Sequence, residues 1–317
     1  MRLRRDGDLR IQTPPFVESR RKEIDGLLNQ GTFKCVSISD IPPNTRLFGS
    51  RFVDDIKYNN DAPFEKSRLV VQAHNDRGKT FVLTQSPTIQ RASHRVIICF
   101  AACLPDRDLF IRDISQAYVQ SNTLLSRNFY IRPPLEINLY RNVFKVLRPL
   151  YSVLEAGTHW FWTYYTHYID KLNLSPSLYD PCLLFSQDAV VGLQTDDTLN
   201  LGTKRYIEKE EIELKKAGYL AKDIVTLTSN KLLTFNRNKI TRFSCSTIEL
   251  TQKAQYDKIT LIDKSDDDYD SAYIRERARG AYIASSVQLE AAFSLLFAAQ
   301  TAALSTSDVD TLNKRLK

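Results

Sequence analysis

Two short apolar runs, Val190 to Leu193 and Thr198 to Leu201, flank the tight acidic step Thr195-Asp196-Asp197. Strand-like segments joined by so short a step read as a hairpin, with the carboxylates at its tip. Well upstream, Asp113 closes another apolar strand, Leu109-Phe110-Ile111-Arg112. Carboxylates at a hairpin tip beside a third from a neighbouring strand can hold two divalent ions roughly 3.5 to 4 Å apart, as two-metal phosphoryl transfer requires. This spacing constrains the chain more than any other feature: it asks for a sheet in which the Asp113 strand lies next to the hairpin.

Two other acidic runs compete for the same role. Asp54-Asp55 follows Phe52-Val53 but precedes Asp113, the opposite order to Asp196-Asp197. Asp266-Asp267-Asp268 lacks flanking strands and reads as a solvated linker. For Asp196-Asp197 the plain alternative is a turn in which Asp tolerates a strained backbone. The surroundings argue against it. Tyr118 follows Asp113 at a spacing of five, with Ala117 before it, and a ring one turn past a metal-bound carboxylate can press on a sugar 2′ position. Lys66 and Arg68 alternate on one strand face beside Leu69-Val70-Val71 and could point toward a triphosphate. The plain reading of those two cations is a solvated strand face. The histidines at 74, 94, 159 and 167 have no carboxylate or cysteine at telling intervals and are read as structural or surface residues.

An apolar content of 43% over 317 residues supports a sizeable core and about two domains. Lys and Arg total 44 against 37 acidic residues, a net charge of +7 that suits a polyanionic partner without demanding one. Cys35, Cys99, Cys103, Cys182 and Cys245 form no CxxC pair and no zinc-type cluster, which fits a reducing compartment. Cys99 and Cys103 share a helix face with Val96 and Phe100 and are expected as buried thiols. Met1-Arg-Leu-Arg-Arg leads into polar sequence without the apolar run of a secretory signal. The longest apolar stretch, Ala291 to Ala303, is too short to span a bilayer, so a soluble chain is expected.

Along the chain, periodicity predicts a helix over Val17 to Leu28 and a strand from Phe33 to Ile38. Two strands, Arg51 to Ile56 and Ser67 to Ala73, form a basic ribbon turning at Asn59 to Pro63. A helix from Ile89 to Leu104 carries Val96, Ile97, Phe100 and Cys103 at helical intervals. Ile114 to Ser121 turns helical, Tyr130 to Pro134 and Val143 to Leu150 are extended, and Trp160 to Leu172 reads as a buried aromatic helix. Lys204 to Ala217 is a charged helix closed by Gly218. Short strands follow from Ile224 to Leu250, with turns at Ser229-Asn230 and Asn236-Arg237-Asn238, and helix returns over Tyr273 to Leu296.

The motifs together resemble the reverse transcriptase of copia-type (pseudovirus) LTR retrotransposons, in the fungal branch. The segments that carry this are Glu18-Ser-Arg-Arg-Lys-Glu-Ile, Lys66-Ser-Arg-Leu-Val-Val-Gln-Ala, Leu83-Thr-Gln-Ser-Pro-Thr-Ile-Gln, Arg112-Asp-Ile-Ser-Gln-Ala-Tyr-Val-Gln-Ser and Phe129-Tyr-Ile-Arg-Pro-Pro. Tyr179-Asp-Pro-Cys-Leu-Leu, Gly192-Leu-Gln-Thr-Asp-Asp-Thr and Arg277-Ala-Arg-Gly-Ala-Tyr-Ile-Ala-Ser continue it nearly to the end.

The resemblance implies an α+β right-hand polymerase fold, fingers and palm with a partial thumb and connection, and RNA-directed DNA synthesis. Asp113, Asp196 and Asp197 fall on the family's catalytic, metal-holding carboxylates, with two Mg²⁺ ions, or Mn²⁺, as cofactors. Lys66 and Arg68 fall on its fingers cations and Tyr118 on its sugar gate, all three as dNTP contacts. The expected division is a helix–strand opening over residues 1–45, fingers and palm over 46–205, palm end and thumb-like region over 206–262, and a linker with an incomplete helical connection over 263–317.

Partners implied are an RNA or DNA template with its primer, dNTPs, and the RNase H and integrase parts of a polyprotein. No membrane is implied; cytoplasmic virus-like particles are the expected location, the nucleus the alternative. The chain ends at Lys317 ahead of the expected RNase H carboxylates, so it reads as a polymerase-domain fragment. Ser152 stands where the family usually has Gly and would be strained at positive φ. Glu155 replaces Gln and would add negative charge near the triphosphate. Phe235-Asn236-Arg237-Asn238 replaces a Gly-containing turn. Such departures keep a second reading open, a degenerate copy that binds nucleic acid without chemistry. A two-metal nuclease uses the same carboxylates but has no need of Lys66, Arg68 and Tyr118.

Overall fold

The computed structural model describes residues 15–59, 62–73, 76, 78, 80, 82–125, 127–137, 141–244, 246–252, 255–265, 268–301 and 303–317. In chain order the elements are α1 (Val17–Asn29), β1 (Phe33–Ser37), β2 (Leu47–Asn59), β3 (Ala62–Gln72), α2 (Arg91–Cys103), β4 (Asp108–Asp113), β5 (Phe129–Ile131), β6 (Asn142–Val146) and α3 (Ala156–Asp170). There follow β7 (Ser175–Pro176), β8 (Leu183–Phe185), β9 (Ala189–Gln194), β10 (Asp197–Gly202), α4 (Lys204–Lys216), β11 (Val225–Thr226), β12 (Leu233–Phe235), β13 (Asn238–Arg242) and β14 (Ile248–Gln252). Helices α5 (Tyr269–Ser286), α6 (Leu289–Phe297) and α7 (Thr306–Leu316) complete the chain. The chain divides into two compact units.

The first unit takes Met1–Pro87, Ile114–Asn173 and Glu213–Leu220. Its five-stranded sheet runs β1-β6-β5-β2-β3, with β2 and β3 paired from Gly49↔Gln72 to Asn59↔Ala62. Leu27, Phe33, Phe48, Phe52, Leu69, Phe129 and Phe144 form its core. As an edge strand, β3 exposes outward-facing amides that need partners. Helix α1 supplies them: Ser67 N–H donates to Ser19 Oγ at 2.8 Å and Leu69 N–H to Glu23 Oε1 at 3.2 Å. Positions 19 and 23 lie one turn apart on the helix, so two side chains match alternate amides of the strand.

The second unit takes Thr88–Asp113, Leu174–Ile212 and Ala221–Lys317. Its six-stranded sheet runs β11-β4-β10-β9-β8-β7, and a three-stranded sheet runs β12-β13-β14. Helices α5, α6 and α7 close around Ala272, Tyr273, Ala284, Leu295, Val309 and Leu312. Helix α2 packs on β9 and β10. Gly192 permits that approach, since a Cβ there would stand 2.3 Å from Ile89 Cδ1 and 2.9 Å from Ile97 Cδ1.

One expectation fails on α2. Its buried face is Ser93, His94, Ile97, Ile98 and Ala101, while Val96, Cys99, Phe100 and Cys103 are exposed. The helix carries two stripes of helical spacing, and packing selects the one that includes two polar residues. Cys245 and His74 lie outside the described residues, as do Asn60, Asp61, Asp266, Asp267 and the basic N-terminus. The aromatic helix α3 is buried through Trp160, Phe161, Tyr164 and Tyr168, but Trp162 is 51% exposed. Among the described residues no helix is long and apolar enough to cross a membrane.

Candidate active site

The hairpin at the centre of the six-stranded sheet turns through Thr195 and Asp196, with Gln194 and Asp197 as its closing pair. Only one of the residues in this turn has a left-handed backbone, and it is Thr195 at φ 53. A β-branched residue there is strained by about 1–3 kcal/mol. Tolerance of that backbone therefore does not explain the two aspartates, and the plain turn reading loses its reason.

Strand β10 pairs on its other side with β4, so that Asp197 stands directly opposite Asp113. Opposed residues of an antiparallel pair put their Cβ atoms about 4.5–5.5 Å apart on one face, and like charges so placed repel. Asp197 registers this: its carboxyl is pushed up to about 7, first by burial and then by the charges of Asp196 and Asp113, with Lys222 pulling the other way. Three hard oxygen donors near one sheet end suit Mg²⁺ or Mn²⁺ in kind.

Among the described residues no group of three or more His, Cys, Asp or Glu side chains is arranged to hold a metal ion. Asp113 is instead engaged by Lys222, whose Nζ lies 2.5 Å from its Oδ2 and whose backbone N–H donates to the Asp113 carbonyl at 2.9 Å. The Lys222 side chain is 58% exposed, and so wet an ion pair contributes about 1 kcal/mol or less. It is a weak competitor for a divalent cation.

Beside Asp113, Arg112 is fully buried. Its guanidinium donates to Glu210 at 3.0 and 2.5 Å, to Glu211 at 2.6 Å and to the Lys222 carbonyl at 2.7 Å. Burial pulls the guanidinium pKa down and raises that of Glu210, but the acidic partners more than offset it for Arg112. This pair ties the Asp113 strand to α4. A lone Arg in an apolar strand was a visible signal for it; nothing local in the sequence named Glu210 or Lys222 as partners.

The other candidates belong to the first unit. Lys66 and Arg68 are half-buried on one face of β3, alternating with buried Ser67 and Leu69. Tyr118 lies on a short 3-10 turn, Ala117–Gln120, its ring edge-on to Tyr151 at 5.9 Å. The decoy Asp54 accepts from Arg20 at 2.6 Å and Ser67 at 2.7 Å, and Asp55 pairs with Lys57 at 2.8 Å. Glu155 corrects an expectation: it is buried and bonded at 2.7 Å through both oxygens to Arg127, which also holds Asp76 at 2.7 Å. Its charge is neutralised locally. Ser152 does take positive φ, at 66°, and Asn236 and Arg237 follow at 46° and 65°.

A six-stranded sheet with facing strand-end and hairpin carboxylates, carried in an α+β chain, is the palm of a right-hand polymerase fold. The chain superposes on the foamy viral protease-reverse transcriptase in complex with double-stranded DNA at a TM-score of 0.54, with 14% identity, covering 95% of this chain and 47% of that one. Residues 32–256 match the family described as reverse transcriptase (RNA-dependent DNA polymerase). Among its relatives is the Transposon Ty1-NL2 Gag-Pol polyprotein of Saccharomyces cerevisiae, 23% identical over 66% of this chain and 12% of that protein. A truncated Ty1-A Gag-Pol polyprotein of the same yeast is 23% identical over the same share of this chain and 17% of its own length. The chain thus spans under a fifth of these relatives. It belongs to the reverse transcriptase family, as a copia-type LTR retrotransposon member.

Proposed function

We propose that this chain is a working polymerase core, extending a primer on an RNA or DNA template by addition of deoxynucleotides. The observation that carries the reading is the register that sets Asp197 opposite Asp113 beside the Thr195-Asp196 turn. Asp113, Asp196 and Asp197 would hold two Mg²⁺ ions, or Mn²⁺. Such ions would supply a lowered pKa at a primer 3′-hydroxyl and charge neutralisation at the phosphates of the leaving pyrophosphate. Lys66 and Arg68 bind the triphosphate, and Tyr118 excludes a 2′-hydroxyl. The residues contribute chiefly positioning and charge stabilisation. RNase H and integrase activities come from other parts of a polyprotein in cytoplasmic virus-like particles.

A catalytically silent remnant draws support from Ser152 and Arg237, which hold left-handed backbone at turns where the family carries glycine. Primer extension on an RNA template with Mg²⁺ and deoxynucleotides separates the two. Extension that falls roughly a thousandfold or more in Asp113→Asn, and disappears in Asp196→Asn/Asp197→Asn, is the expected result. A folded protein that binds primer-template and never extends it establishes the remnant.

A further inference from the structure

The turn that bears Tyr118 is gripped from a distance by helix α1. Gln116 opens that turn with its backbone at φ 53, a conformation uncommon outside glycine and asparagine, and its carbonyl accepts from Val119 N–H at 3.2 Å. Its side-chain amide is bracketed. Gln30 Nε2 donates to Gln116 Oε1 at 3.0 Å, and Gln116 Nε2 donates to Glu23 Oε2 at 3.3 Å. Glu23 is 4% exposed, and its other oxygen accepts the Leu69 amide of β3, the residue after Arg68. Glu23 and Gln30 are two turns apart on α1 and its cap, so one helix face holds both ends of a single amide.

We propose that Gln116, clamped between Glu23 and Gln30, is a positioning residue that fixes the Tyr118 ring, so that α1 sets how strictly the polymerase rejects ribonucleotides. The proposal rests on the gate role given to Tyr118 above. Its physical basis is geometric. A left-handed residue two positions before the ring decides where the ring stands, and that backbone persists only while its surroundings hold it. Releasing the amide lets the turn relax and moves the ring relative to the sugar.

The hydrogen-bond chemistry supplies an internal control. Gln116→Glu sets one carboxylate against another and breaks the clamp; Glu23→Gln alone does not, since Gln116 and Gln30 can both turn their amides over and the Gln30 oxygen has no other partner. The double substitution E23Q/Q116E restores every bond. The new amide at position 23 then accepts from Leu69 N–H through its oxygen and donates through its nitrogen to the carboxylate at position 116, whose second oxygen accepts from Gln30.

The test is the ratio of kcat/KM for a deoxynucleotide to that for the matching ribonucleotide in single-nucleotide primer extension, measured below the melting temperature of each variant. Gln116→Glu is expected to lower the ratio about tenfold, mainly by improving the ribonucleotide KM, with Glu23→Gln alone and the double each within about threefold of the unmodified chain. Gln30→Ala, which deletes one rim bond, gives a smaller shift in the same direction and serves if a single variant does not fold. An unchanged ratio in folded Gln116→Glu, or a double that does not recover, overturns the proposal and leaves the polymerase reading intact. An unmodified chain that cannot extend a primer overturns both.

Discussion

Arg112→Met offers the sharpest test of how the Asp113 strand is held. Arg112 and Glu210 have side chains 1% and 0% exposed, joined by two hydrogen bonds. Removing the guanidinium leaves Glu210 ionised without a cation or uncharged in a site shaped for a pair, and it frees the Lys222 carbonyl as well. Breaking a buried pair from one side costs about 3–5 kcal/mol. At roughly 2–4 °C per kcal/mol for a unit of this size, the melting temperature falls by about 6–20 °C. Replacing both residues, as R112M/E210M, removes the buried charge stranded at Glu210 and is expected to return part of the loss, the Lys222 carbonyl staying without its donor.

The two units can melt separately, so calorimetry is paired with hydrogen exchange of peptides from β4 and β10, which reports this sheet alone. Arg112→Met that melts within about 2 °C of the unmodified protein, or a double variant no better than the single, refutes the reasoning. The first result would mean that the ion pair is a passenger and that β4 is held by its neighbours β10 and β11; the second, that the loss does not come from a charge stranded at Glu210.

Arg127→Met is expected to cost about 3 kcal/mol by stranding Glu155 and Asp76, with part of that loss returned by adding Glu155→Gln; denaturant midpoints for the three variants decide it. No recovery in the double would show that Glu155 is not the group Arg127 compensates. His94, buried against Phe235 at 5.1 Å, is pushed down to about 4 by burial first and by Arg95 second. Its folded pKa lies below the unfolded value, so its contribution is present above about pH 6.5 and is lost as pH falls through 4, by roughly 3 kcal/mol. His94→Leu should flatten that part of the melting profile between about pH 7 and 4.5, and an unchanged acid slope would reject the assignment.

The departures from the family pattern divide once the structure is in view. Glu155 is compensated, because Arg127 takes both its oxygens. Ser152 and Arg237 are not relieved in that way, since a positive φ costs a side-chain-bearing residue about 1–2 kcal/mol wherever the partners lie. Thr195 carries the same kind of strain at the acidic hairpin, where strained backbone and chemistry commonly coincide.

Local patterning was enough to set the elements and the order of the carboxylates. Alternation marked the hairpin strands, helical spacing marked α1 and α4, and the run Leu109 to Asp113 became β4 with its carboxylate at the strand end. These are local signals, set by side-chain period along a few residues. Packing chose which groups meet. Helix α2 had two eligible stripes and buried the one holding Ser93 and His94, because only that face met the sheet. Lys222 with Asp113, Arg112 with Glu210, and Gln116 with Glu23 join residues far apart in the chain, and no period links them. Each pairing exists because strand register and helix packing bring complementary charges and hydrogen-bonding groups within reach, which composition and spacing do not encode.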